Sequence, residues 1–117
     1  MTGIARAGAV TDAAGIPLAH EPLPASERRK GAPRAGAFEL GVFGGVEIGV
    51  WEMTPGVAAD VESDEVFVVL SGRARVDFAS PELPSIDIGP GAVVRLASGM
   101  RTVWTVTETL RKVYLAC

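Results

Sequence analysis

Histidine and cysteine are nearly absent from this chain of 117 residues: His20 is the single histidine, and Cys117, the last residue, is the single cysteine. One cysteine cannot form an internal disulfide, which is compatible with a reducing compartment, and we therefore expect a cytoplasmic location. Imidazole and thiolate are the side chains that bind first-row transition metals most readily. The chain therefore has few candidate ligands for such an ion.

The sequence also lacks long apolar runs and an excess of positive charge. Residues 1–18 are rich in alanine and glycine, but Arg6 and Asp12 interrupt them, so we expect neither a signal peptide nor a membrane span. The net charge of −3 at pH 7 gives no electrostatic reason to expect a nucleic acid as a partner. The length and the 48% of hydrophobic residues indicate one folded domain with one modest core.

Residues 1–36 are predicted to form an extended N-terminal arm. Short strands at residues 9–10 or 16–18 remain open in this segment. Proline fixes φ and removes a backbone donor, so its four prolines disfavour a long helix and favour an extended path over the surface. These are Pro17, Pro22, Pro24 and Pro33.

Short apolar segments alternate with glycine and proline through residues 37–117. Residues 37–43 and 46–53 are separated by Gly44-Gly45, which is a strong hairpin signal. A further break comes at residues 89–91, and no segment has a convincing helical pattern. The sequence therefore predicts an all-β fold, an antiparallel barrel or sandwich.

The segment that ends at Gly72 carries the most informative pattern. Residues 66–70 are apolar on both alternating faces, which predicts a strand that is covered on both sides and ends at Gly72. Glu65 precedes this strand and shares a side with Phe67 and Val69, so its carboxylate should point into the barrel if they do. A carboxylate in that position is costly without a partner or solvent.

Four motifs in the same order resemble the cupin superfamily. The resemblance covers about residues 38–116 and implies a small antiparallel cupin β-barrel, a jelly roll, with a central ligand cavity. Gly56, Glu65 and Gly72 match the first cupin motif, and residues 89–99 match the second. The chain is more specifically similar to the small single-domain cupins grouped with ureidoglycine aminohydrolase, at residues 49–56, 64–66, 104–108 and 111–114.

The resemblance implies a metal site that the sequence does not support. Most metal-dependent cupins use two histidines and a glutamate from the first motif and a third histidine from the second. Here the histidine positions hold Ala59 and Val61, or Ala58 and Asp60 with a longer spacing, and Thr102. We therefore expect no metal and no other cofactor.

Carboxylates could replace the missing histidines as metal ligands, but the pattern supports this less well. Asp60, Glu62 and Asp64 share a face if their segment is extended, while Glu65 points to the other face. A magnesium or calcium site needs six or more converging oxygens. The simpler interpretation is an acidic loop or an exposed strand edge.

The resemblance also implies a polar cluster of Glu65, Lys112 and Tyr114 in the cavity. Lys112 and Tyr114 share one face of the last strand, but Val113 and Leu115 make the opposite face apolar, so the sequence leaves open which face is inward. Such a cluster could polarise a carbonyl and transfer protons, or it could bind a polar ligand. Alternatively, Glu65 and Lys112 form a buried pair that needs no ligand.

Three further residues are candidate ligand contacts. Trp104 shares a face with Thr102 and could fill the space that a metal would occupy, although a core role is the simpler interpretation. Arg101 lies near the expected mouth and could meet an anionic ligand, although an exposed surface arginine is the simpler interpretation.

Two classes of function remain open. One is a metal-independent enzyme that acts on a small polar metabolite, with Glu65 as the proton carrier and with Lys112 and Tyr114 as orienting groups. The other is a non-catalytic module that binds a ligand or a partner. We expect a homodimer, because the core is small for a barrel with a cavity and because small cupins commonly pair through open sheet edges.

Overall fold

The computed structural model describes residues 3–117. Within that range the chain forms nine strands and no helix, and therefore no helix that could cross a membrane. The strands in chain order are β1 (Glu21–Pro22), β2 (Arg28–Lys30), β3 (Arg34–Phe43), β4 (Val46–Met53), β5 (Gly56–Val61), β6 (Glu65–Ser80), β7 (Leu83–Ile88), β8 (Val93–Leu96) and β9 (Arg101–Ala116).

Strand β9 organises a single curled sheet in which the strand pairings are antiparallel. Its first half pairs with β5 and its second half with β4, while β6 runs along its other edge from end to end. The path through the sheet is β1-β3-β4-β9-β5-β2, and β6 also pairs with β7 and β8. The predicted all-β antiparallel fold is confirmed.

The hairpin expected at Gly44-Gly45 is also confirmed. These residues form the turn between β3 and β4, with Phe43 opposite Val46. Their φ angles are +60° and +80°. A two-residue hairpin loop of this kind needs positive φ at both positions, which glycine adopts without steric cost.

The prediction that Gly72 ends a strand is wrong, because β6 continues through it to Ser80. Gly72 has a φ of +89°, and a Cβ at this position would overlap the carbonyl of Thr109 on β9. The pairing register between β6 and β9 shifts on both sides of Ser71. Gly72 therefore bends the strand at an irregularity, and the ladder resumes because β9 still offers partners beyond it.

The hydrophobic core lies on the inner face of the sheet, the face that carries Phe67, Val69 and Val76 of β6, each at most 1% exposed. Trp104 and other apolar residues of β9 pack against them. The outer face is less well covered, since Val66 is 37% exposed. The prediction that residues 66–70 are covered on both sides is therefore wrong for the outer face.

Residues 3–33 form the N-terminal segment and lie against the sheet. β1 pairs with β3 and β2 with β5, whereas residues 9–10 and 16–18 are not strands. The guanidinium of Arg111, on the outer face of β9, donates to the carbonyls of Ala13 at 3.0 Å and Ile16 at 2.7 Å. The division into an arm (residues 1–36) and a barrel stays a prediction, and residues 1–2 lie outside the described range.

Candidate functional site

A cavity of about 320 Å³ opens on the inner face, between β3, β4, β5, β6, β9 and the N-terminal segment. Its apolar lining includes Met53, Ala58 and Trp104, which also belong to the hydrophobic core. Concave sites of this size, apolar with a few polar groups, are typical of small-molecule binding. The charged side chains of the lining are Glu27, Glu47, Asp60, Glu62, Glu65 and Lys112.

Glu65 and Lys112 form an ion pair in this cavity. The ammonium of Lys112 donates to Oε2 of Glu65 at 2.7 Å, and the two side chains are 7% and 13% exposed. β6 and β9 are paired strands. Lys112 is opposite Val69, and Tyr114 is opposite Phe67, whose side chains belong to the inner face. The structure therefore places Lys112 and Tyr114 on the inner face of β9.

Three aromatic rings surround the same ammonium. The Nζ atom of Lys112 lies 4.8 Å from the ring centroid of Trp51, 4.2 Å from that of Phe67 and 5.0 Å from that of Trp104. Ring faces attract a cation, most strongly where water is excluded. The positive charge of Lys112 is thus stabilised by Glu65 and by the rings without any ligand.

Tyr114 lines the cavity but is not hydrogen-bonded to this ion pair. Its hydroxyl donates to Oε2 of Glu47 at 2.9 Å, and its ring packs over Gly49, where a Cβ would overlap it. Burial and the hydrogen bond to Glu47 raise the pKa of Tyr114 to about 12. Tyr114 is therefore a protonated donor at neutral pH, which suits an orienting role.

Glu62 is a buried cavity residue, so its interpretation as part of an exposed acidic loop is wrong. The residue is 8% exposed. Its Oε2 atom accepts hydrogen bonds from the hydroxyl of Thr102 at 2.5 Å and from the indole N–H of Trp104 at 3.0 Å. β5 ends at Val61, so strand alternation does not govern Glu62.

A sequence signal for Glu62 did exist on the neighbouring strand. Thr102 and Trp104 are two side-chain donors on one face of β9. In the fold they stand opposite Asp60 and Ala58 of β5, just before Glu62. Two inward donors require an acceptor, because buried polar groups are hydrogen-bonded.

Asp60 lines the same cavity at its mouth, where the side chain keeps contact with solvent. Burial of part of the carboxyl group raises the pKa of Asp60 to about 6, and repulsion by Glu62 and Glu27 adds to the shift. One of its oxygens accepts the backbone N–H of Val61 at 2.8 Å. Asp60 is thus a carboxyl group that titrates close to physiological pH.

The remaining predicted contacts occupy different places. Trp104 lines the cavity. Thr102 is 1% exposed and stands behind Glu62, outside the cavity lining. Arg101 is exposed and borders a neighbouring depression with Arg29. A ligand-binding role for these three predicted residues stays a prediction.

The metal site that the resemblance implies does not fit these side chains. The histidine positions hold Ala59 and Val61, or Ala58 and Asp60 with the longer spacing, and Thr102. His20 bonds Glu52 at 2.6 Å and lies outside the cavity lining. Over residues 3–117, no group of three or more His, Cys, Asp or Glu side chains is placed to hold a metal ion. The donors that a first-row metal prefers are therefore missing from this cavity.

Several solved structures share this fold. The EutQ protein of Clostridium difficile is 15% identical, with a TM-score of 0.61 over 72% of this chain and 68% of that chain. A DUF861 family protein of unknown function from Pseudomonas syringae pv. tomato is 23% identical, with a TM-score of 0.72 over 88% of this chain and 45% of that chain. A cupin superfamily protein from Desulfitobacterium hafniense is 17% identical, with a TM-score of 0.58 over 82% and 89% of the two chains.

A family model supplies the assignment that these distant structures cannot. No curated protein matches the chain. The model for the EutQ-like cupin domain matches residues 40–114, which is more than half of the chain. The narrower grouping with ureidoglycine aminohydrolase stays a prediction. The protein therefore belongs to the family of EutQ-like cupin domains.

Proposed function

We propose that the protein binds a small polar molecule in the cavity on the inner face of its sheet. The observation that carries this proposal is the burial of three charged groups, Glu62, Glu65 and Lys112, around one open space. Charged side chains are rarely buried unless they are paired, because leaving water is costly. A cavity that is partly apolar and holds a few fixed polar groups is the usual form of a small-molecule site.

Chemistry on the bound molecule is the second candidate, and it requires a group that can exchange a proton. Oε2 of Glu65 accepts a hydrogen bond from Nζ of Lys112 at 2.7 Å, so the pair can fix the orientation of a ligand. Asp60 has a pKa of about 6, which is close to the value that suits a general acid or base at neutral pH. We therefore propose Asp60 as the proton carrier in place of Glu65, with Tyr114 as an orienting donor.

Saturation-transfer NMR tests the binding function with a panel of small anions, cations and neutral polar molecules. Wild-type protein should bind members of at least one charge class. Ala37 lines the cavity at an exposed position, so Ala37→Trp should block the site and abolish the signals. The matched control is Ala14→Trp, at an exposed alanine outside the cavity lining.

The proposal fails if no class binds, or if Ala37→Trp binds as well as the control.

Glu65→Gln tests whether the Glu65–Lys112 pair contributes to binding. It should weaken ligand binding, because the carboxylate that holds the Lys112 ammonium in place is lost. Retention of full affinity in a folded Glu65→Gln variant would remove the Glu65–Lys112 pair from the site.

A further inference from the structure

The charges that line the cavity are strongly unbalanced. Lys112 is the positively charged residue among the described lining residues, and it is already paired with Glu65. The four remaining carboxylates are Glu27, Glu47, Asp60 and Glu62.

Glu62 shows that this negative charge is built into the site. Its side chain is more than nine-tenths buried, and its Oε2 atom holds both donors, Thr102 and Trp104. Oε1 accepts no hydrogen bond from the described residues, yet no fully enclosed side-chain oxygen or nitrogen among them lacks a partner. Oε1 therefore retains accessible surface, and Glu62 is one of the residues that line the cavity.

Neighbouring carboxylates make the electrostatic potential around this part of the cavity more negative. Asp60 lies close enough to Glu62 and to Glu27 to be repelled by both, since each raises the pKa of Asp60. The positive charge that lowers this pKa is that of Lys112. The backbone carbonyl of Glu27 accepts the N–H of Ala59 at 2.7 Å, which fixes the N-terminal segment beside β5.

The two arginines nearby form no ion pair with this group. Arg29 and Arg101 border the neighbouring depression, which Glu27 and Asp60 also line, and both arginines lie outside the lining of the cavity. Arg29 donates to the carbonyl of Ser26 at 2.7 Å. Among the described residues, neither guanidinium forms an ion pair with a carboxylate, including those of Asp60 and Glu27.

These observations select the class of ligand. An anion would meet five carboxylates, one of which is already paired with the ammonium of Lys112. A metal ion needs donors that converge on one point, and the described residues hold no such group. A polyatomic cation with several N–H donors can instead reach separate carboxylates, as charge-assisted hydrogen bonds favour.

We infer that the cavity binds a small organic cation of the amine or guanidinium class. The N–H groups of this cation donate hydrogen bonds to Oε1 of Glu62 and to the carboxylate of Asp60. This inference rests on the proposed binding function and names its ligand class. The rings of Trp51 and Trp104 provide the apolar wall for the carbon chain of the ligand.

A matched set of four-carbon probes tests the inference: putrescine as the cation, succinate as the anion and 1,4-butanediol as the neutral molecule. The measurement is the amide and indole ¹H–¹⁵N spectrum, because the indole N–H of Trp104 donates to Glu62 and reports on this carboxylate directly. Putrescine and methylguanidine should shift the Trp104 indole resonance saturably. Succinate and butanediol should not.

Glu62→Gln should weaken putrescine binding at least tenfold, because the amide keeps an acceptor for Thr102 and Trp104 but removes the charge. Asp60→Asn, at an exposed position, is the second variant in case Glu62→Gln does not fold. Glu82→Gln, exposed and outside the cavity lining, is the control and should bind as wild type does.

The outcomes separate the two proposals. Saturable binding of succinate or butanediol without putrescine would overturn the cation inference and leave the binding function standing. Equal putrescine affinity in Asp60→Asn and in the control would also overturn the inference. If no probe binds at millimolar concentration, the cation inference fails, and the wider panel decides the binding function.

Discussion

The ammonium of Lys112 lies 2.7 Å from a carboxylate oxygen of Glu65, and this contact joins the last strand of the fold to the long strand β6 beside the cavity. Both side chains are largely buried. The contact accounts for a lysine in the interior of a small barrel, since a buried ammonium needs an acceptor.

We expect Lys112→Met to destabilise the protein strongly, because it leaves the Glu65 carboxylate buried without a partner. Loss of one member of a buried pair typically costs about 3–5 kcal/mol. The double variant Lys112→Met/Glu65→Gln should regain most of that loss, because no unpaired charge remains. Urea denaturation at pH 7 measures both values. Equal stability of the single and double variants would show that the pair is not coupled.

Asp60→Asn should stabilise the protein at alkaline pH. The pKa of Asp60 is raised from 3.8 to about 6 by burial and by Glu62, so the folded state holds this proton more tightly than the unfolded chain. Ionisation of Asp60 therefore has no effect on stability below about pH 4, destabilises the fold increasingly between about pH 4 and pH 6, and has its full effect above pH 6.

The gain at pH 8 should be about 1 kcal/mol, since solvent at the exposed carboxyl screens the repulsion. Thermal melts at pH 8 and pH 4 measure it, and the gain should disappear at pH 4. The control is Asp87→Asn, because Asp87 forms an exposed ion pair with Arg75. A gain of the same size at both pH values would contradict the assignment.

Thr102→Val should destabilise the protein by about 1–3 kcal/mol, because the buried Glu62 carboxylate loses one of its two donors while the shape of the side chain is kept. Thr102→Ser keeps the hydroxyl and should retain most of the stability. The Trp104 indole resonance should also move in Thr102→Val, since this N–H lies 3.1 Å from the Thr102 hydroxyl. An unchanged resonance and an unchanged denaturation midpoint would argue against this network.

We expect a homodimer that covers the exposed apolar part of the outer face. The four side chains concerned lie on β3, β6, β8 and β9, and each is at least 36% exposed: Phe38, Val66, Val93 and Leu115. Exposed apolar side chains grouped on one face mark interaction surfaces. Light scattering at tens of micromolar should therefore give twice the chain mass.

Phe38→Glu should shift that assembly toward the monomer. Phe43→Glu is the control, because Phe43 is 74% exposed at the turn of the β3–β4 hairpin. A monomeric wild type would contradict the expectation. An unchanged dimer in a folded Phe38→Glu variant would place the interface elsewhere.

Purified protein should carry no stoichiometric transition metal after dialysis, because no histidine stands at the histidine positions of the motif, at Ala59 and Val61 or Ala58 and Asp60, and at Thr102. Elemental analysis checks this expectation. One manganese, iron, nickel or zinc ion per chain would contradict it and would direct attention to Asp60 and Glu62.

Local sequence patterns are sufficient to predict the fold class and which side chains share a face of a strand. Glycine and proline divide the chain into short strands, and Gly44-Gly45 specifies its hairpin because only positive φ at both positions closes that turn. Strand alternation also determined that Lys112 and Tyr114 share a side. Such alternation is local, so it is readable without the partner strands.

The side of β9 that faces inward is set by packing between strands. Alternation gives relative directions, whereas the absolute direction depends on which face the other strands cover. The N-terminal segment covers part of the outer face through Arg111, which leaves Lys112 on the cavity side. The continuation of β6 through Gly72 also depends on distant parts of the chain, because the strand that pairs with it beyond Gly72 is β9.

The position of Glu62 was decided by tertiary contacts for a related reason. Its segment leaves the strand at Val61, so alternation no longer assigns its side chain to a face. Its backbone is held by Gly99 and Met100 instead, and its carboxylate meets donors that lie 40 and 42 residues later in the chain. A pattern of period two cannot report contacts at that separation, because they exist only once β5 and β9 are paired.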